Sequence, residues 1–188
     1  MGRGRSWTAA AGATGVTALA TLFCPSASLS RQWSHDPVTL ARDYLMISDN
    51  RGQDTVMVMW LASPMMSQRE QVAPIFDEFV IIGAVHAKAS PNGIYTMIDE
   101  PTPSASSANG SSLSLLSNDN LPPTMLGIVT GLEAGMSRAL GQFGKGIKWY
   151  VFDPGDVRPC ATGALTVKFA GETYLYSTPV PGCPAKPD

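Results

Sequence analysis

Four carboxylates, Asp99, Glu100, Asp153 and Asp156, are the residues whose types and spacing most invite chemistry. Asp99 and Glu100 close one strand-like run and Asp153 and Asp156 close another, with a long polar stretch and a helix between them. If those strands run parallel in one sheet, the connection is a crossover and both C-terminal ends reach one edge. Carboxylates gathered there could serve acid–base hydrolysis or hold a calcium ion. The plainer reading is that Asp and Glu begin turns, as Asp153-Pro154-Gly155-Asp156 suggests.

Methionine offers a second chemistry. Met57 and Met59 are two apart and share a face of an extended strand, and Met65 and Met66 follow closely. Thioethers suit Cu(I), but unbranched methionine also fills irregular core space. Only His35 and His86 carry imidazole, without a His-x-x-x-His spacing or a thiol cluster, so a zinc site is not expected. Ser34-His35-Asp36 cannot act as a triad, because adjacent residues do not converge from separate elements. Asp36 before Pro37 reads instead as a helix start. Gly135-Met136-Ser137-Arg138-Ala139 is a degraded form of the nucleophile elbow, and Ser137 falls inside a helix rather than at a strand-to-helix turn.

Cys160 and Cys183 bracket an alternating stretch at the C-terminus. Leu165, Val167 and Phe169 share one face of its first strand, and Tyr174 and Tyr176 one face of its second. A two-residue turn at Gly171-Glu172 would set Cys160 directly across from Cys183. That geometry predicts a structural disulfide clamping the hairpin, and no Cys-x-x-Cys redox motif is present.

The pairing also bears on compartment. Met1–Arg5 carries two arginines, the next stretch to Cys24 has no charge, and small residues follow. This is the order of a secretory signal, expected to span residues 1–28 and to leave one domain over 29–188. An uncleaved anchor is the rival reading, although the run is rich in Ala, Gly and Thr; a lipoprotein site at Cys24 lacks the small residue that should precede it. Cleavage removes Cys24 and leaves an even pair, as expected of an exported protein. The chain has 188 residues, of which 44% are hydrophobic and 15% charged, enough to build a core and too few charges for disorder. The net charge of −2, without a basic run, excludes a nucleic-acid partner and gives no reason to expect stable membrane insertion after cleavage.

The positioning elements follow from periodicity. A first helix is predicted over 34–48, with Val38, Ala41 and Leu45 on one face, and a second begins at the Ser67/Glu70 capping box and ends or kinks at Pro74. Residues 55–62 are apolar on both faces and predict a central strand covered from two sides. Strands at 79–89 and 93–99 flank the Pro91-Asn92-Gly93 turn, and another spans 147–153. A third helix covers 124–142, with Met125, Ile128, Leu132, Met136 and Leu140 as its stripe. Its Gly127, Gly131 and Gly135 predict a helix lying tightly on the sheet, Glu133 and Arg138 arguing against a membrane face. Residues 101–122, rich in Ser, Pro and Asn, read as a flexible loop, either a lid or a linker, whose trimming should leave the fold intact.

Together these predict an α+β fold: about six strands in a single mainly antiparallel sheet, two or three packed helices, and a disulfide-clamped C-terminal hairpin. The expected function is that of a non-enzymatic periplasmic or extracellular protein that binds a partner or small ligand, without a cofactor. A hydrolase using Asp99, Glu100, Asp153 and Asp156 under the loop is the alternative, and a copper binder using Met57 and Met59 the third.

Overall fold

A computed structural model describes residues 31–32, 45–66 and 73–184. The signal segment, the first part of the predicted first helix and the Ser67/Glu70 capping box lie outside these residues. The described chain forms mainly antiparallel sheets with one helix, roughly an α+β arrangement.

The strands are β1 (Arg31–Gln32), β2 (Leu45–Arg51), β3 (Asp54–Leu61), β4 (Val80–Ala89), β5 (Tyr95–Met97), β6 (Ser104–Ser107), β7 (Lys148–Phe152), β8 (Gly163–Phe169) and β9 (Glu172–Thr178), and the helix is α1 (Pro123–Lys145). They build two sheets rather than the predicted one. The first sheet runs β1-β9-β8-β6, with β1 parallel to β9 and the rest antiparallel. The second runs β2-β3-β4, and the far edge of β4 is shared by β5 and β7.

Two apolar faces on one strand need two covers, and β3 has both. Val56, Val58 and Trp60 join Ile82 and Ala84 of β4 against Leu165, Val167, Phe169, Tyr174 and Tyr176 of the first sheet. Met57, Met59 and Leu61 face the other way, in clusters closed by Met125 and Met136 of α1. The molecule is thus three layers deep, sheet on sheet on helix, with β3 and β4 in the middle. Burying each large side chain there contributes roughly 1.5–3 kcal/mol. Trp60 and Tyr176 meet edge to face, centroids 6.0 Å apart, and the Tyr176 hydroxyl donates to the Val58 carbonyl at 2.8 Å. At the rim, Arg51 donates to Asp49 (2.7 Å), to the Ala170 carbonyl (2.9 Å) and to the Tyr174 hydroxyl (3.0 Å), tying the sheets together.

Several expectations are corrected. Residues 45–48 belong to strand β2 and not to a helix: Leu45, Ile47 and Asp49 alternate inward, and Gly52 at φ 72° makes the turn into β3. One α-helix, kinked at Gly141 (φ 58°), rather than two or three, stands among the described residues, beside three short 3-10 turns. Its glycines do not bring it close to the sheet, since a side chain at Gly127, Gly131 or Gly135 would meet nothing within 4 Å. The stretch 101–122 contains β6, and its backbone is bonded further on: Leu113 N to Ala105 O (2.8 Å), Leu116 N to Val151 O (2.8 Å) and Asp153 N to Ser114 O (2.9 Å). It crosses from the second sheet to the first and returns.

The C-terminal hairpin forms with a shifted turn. Phe169 pairs with Glu172, so the turn residues are Ala170 and Gly171, both at positive φ (50° and 78°), as a type I′ turn requires. A ladder continued in that register would set Pro181 across from Cys160. The ladder stops at Gly163 and Thr178, and beyond it Val180 N bonds to Pro159 O at 2.9 Å, which lets Cys160 and Cys183 meet as a disulfide with Cα atoms 5.4 Å apart. The bond closes a loop of separation 23. Replacing both cysteines with serine is expected to cost about 3 kcal/mol while leaving a folded protein, measured by chemical denaturation.

Candidate functional site

Alternation along β4 sends Val80, Ile82 and Ala84 into the space between the sheets, and the next residue on that face is His86. Beside it the edge of β4 changes partner. β5 is paired as far as Met97 opposite Ala87, Ile98 N still bonds to His86 O at 2.9 Å, and the chain then leaves the edge. β7 takes over where Lys148 pairs with Ala84. A cavity of about 90 Å³ sits at this seam, lined among others by His86, Met97, Glu100, Lys148, Tyr150 and Phe169. At roughly 30 Å³ per water, it has room for a handful of heavy atoms.

Two side-chain pairs frame the cavity. His86 Nδ1 lies 2.7 Å from Glu100 Oε1, with side chains 10% and 20% exposed. Against an ionised Glu100, Nδ1 is the donor, and Nε2 of a neutral ring is then an acceptor. Nε2 is buried and has no hydrogen-bond partner among the described residues. Nearer solvent, Lys148 Nζ donates to Asp99 Oδ1 at 2.6 Å. That bond lowers the Asp99 pKa and raises that of Lys148. Burial raises the Tyr150 phenol, so it stays a neutral donor and acceptor at physiological pH.

The Asp99–Lys148 pair is exposed and adds little to stability. Because the carboxyl is lowered in the folded state, its contribution is present above the ordinary carboxylate range and lost as pH falls through the lowered value. Lys148→Met is expected to return Asp99 upward to that range, read by NMR titration of its side chain.

Of the four carboxylates singled out in the sequence, the structure brings Asp99 and Glu100 to the seam and leaves Asp153 and Asp156 elsewhere. β5 and β7 do run in the same direction, but end to end along one edge of β4, so their C-terminal residues Met97 and Phe152, opposite Ala87 and Val80, are about 23 Å apart at 3.3 Å per residue. Asp153 accepts from Gly155 N at 2.9 Å, which is turn chemistry, and Asp156 accepts from Asn109 Nδ2 at 2.7 Å, which ties its turn to the segment after β6. No group of three or more His, Cys, Asp or Glu that could hold a metal ion occurs among the described residues. Met57 and Met59 are 5% and 1% exposed beneath α1.

His86, Lys148 and Tyr150 are the cavity residues that sequence reasoning passed over. The signal for His86 was its even spacing from Ile82 and Ala84, which puts an imidazole on a core-facing row. Comparison with protein-family models, with curated proteins and with solved structures gave no match.

Proposed function

We propose that the protein is an exported, non-enzymatic binding protein, and that the seam between β5 and β7 holds a small polar ligand. The observation that carries this is the arrangement of His86–Glu100, Lys148–Asp99 and Tyr150 around one small cavity. The groups supply donors and acceptors already fixed by their partners, and the apolar wall of Ala84, Met97 and Phe169 gives the ligand a dry side. With Lys148 balanced by Asp99 and the Glu100 carboxylate held by a neutral His86, the site carries at most one negative charge, which suits a neutral polar or singly cationic molecule of a few heavy atoms better than an anion. The Cys160–Cys183 disulfide is compatible with export, and no helix among the described residues is long and apolar enough to cross a membrane.

The test is two-dimensional NMR of the mature chain against a panel of small amides, acids, amines and amino acids. A ligand is expected to shift amides of 84–86, 97–100 and 146–150 together, and His86→Gln to weaken that binding. Shifts confined to other regions, or none across the panel, would overturn the reading.

The His86–Glu100 contact also favours a second reading, acid–base hydrolysis. In that case Glu100 orients His86 and a water is the nucleophile, since the cavity lining offers no Ser, Thr or Cys side chain. Turnover of an ester or amide panel, lost in His86→Gln and retained in Asp153→Asn, would favour it over simple binding.

A further inference from the structure

The two faces of β3 differ in kind. The face toward the first sheet is Val56, Val58 and Trp60, in a cluster that contains no methionine. The face toward α1 carries Met57 and Met59, and the fold adds three more thioethers to them. Met46 of β2 is directly opposite Met59. Met57 is opposite Val85 of β4, and Met97 is opposite Ala87, the next residue on that face of β4. Met136 comes down from α1. Residues directly opposed in an antiparallel pair have Cβ atoms roughly 4.5–5.5 Å apart, and methionine's three rotatable bonds let neighbouring sulfurs converge.

We infer that this cluster of Met46, Met57, Met59, Met97 and Met136 between the second sheet and α1 is a binding site for Cu(I). A site that needed only apolar volume would have no preference for sulfur, and the opposite face of the same strand has none. Neutral thioethers are soft donors that select monovalent copper and have no proton to lose on binding. The Trp149 ring packs in the same cluster, and an indole face favours an adjacent cation. Space for ring and sulfur is reserved by two glycines. A Cβ at Gly83 would lie 2.7 Å from the Trp149 ring and 2.9 Å from Met59, and one at Gly146 would overlap the Met97 sulfur. Met57, Met59 and Met136 are buried, whereas Met46 and Met97 are half-buried and form the way in.

The experiment is an anaerobic titration of the mature protein with Cu(I) in competition with a chromophoric Cu(I) chelator. The wild type is expected to retain one equivalent and to show quenched tryptophan emission. Leucine keeps the volume of methionine and removes the donor. The double variant M57L/M59L should therefore lose affinity at least tenfold, and M46L/M97L, at the entrance and safer for folding, several-fold. M125L, a methionine outside the cluster, should bind as the wild type does. X-ray absorption of the loaded protein should report sulfur-only ligation. Failure of the wild type to compete for Cu(I), or equal retention by the wild type and both double variants, would overturn the inference.

Discussion

Deletion of residues 103–112 is expected to abolish cooperative folding. The segment supplies β6, whose Ala105 and Ser107 are buried and which pairs with β8 from Ser104–Lys168 to Ser107–Leu165. Its loss exposes the edge of β8, a strand whose alternate residues Leu165 and Val167 are fully buried. It also removes Ala105 O, the acceptor for Leu113 N, and with it the anchor of the return path along β7. The total exceeds about 5 kcal/mol, the lower end of what a domain of this size has in hand. Loss of the far-UV strand signal and of slow amide exchange in β8 is the expected readout. A cooperative melt in the deleted chain would mean that β6 adds nothing to the sandwich.

Trp60→Ala is the single substitution with the largest expected effect. The side chain is 1% exposed between the sheets, edge-on to Tyr176. Truncation leaves a cavity flanked by both sheets, where strand ladders on either side prevent collapse, and should cost about 4 kcal/mol. For a chain of this length that lowers Tm by roughly 10 °C. Ile94→Thr, at a side chain 53% exposed, should change stability by less than about 0.5 kcal/mol and serves as the comparison.

The central elements were legible because their patterns are unambiguous. A run apolar on both faces has one home, the middle of a covered sheet, and β3 lies there. The alternation before and after Gly171 located β8 and β9, although the turn itself moved by one residue: Ala170 accepts a positive φ, which residue type alone does not announce. Other stretches satisfied two periods at once. Leu45 fits a helical stripe with Val38 and Ala41, yet Leu45, Ile47 and Asp49 also alternate, and pairing with β3 decides for the strand. β6 is Ser-Ala-Ser-Ser, with too little apolar surface to be read locally; it is a strand because β8 offers an unpaired edge. The candidate site was half legible. Asp99 and Glu100 stood out as charges at a strand end, but His86 and Lys148 meet them only because β5 and β7 divide one edge of β4. The methionine cluster was likewise visible only at Met57 and Met59, its other members arriving through strand register and the placement of α1.

The order of strands in the first sheet sets a timetable for folding. β1 pairs with β9, and β6 pairs with β8, so both wait for the last residues of the described chain before they have a partner. The β2-β3-β4 meander can form as soon as its own residues are available, but the Val56, Val58 and Trp60 face then stands open to water until β8 and β9 arrive. Contacts so distant in sequence are slow to close. A chain delivered from its N-terminus therefore completes its sandwich in one late step, when Cys183 also comes within reach of Cys160. Until then it presents an apolar strand face that a chaperone could hold, and that a second unfinished chain could join.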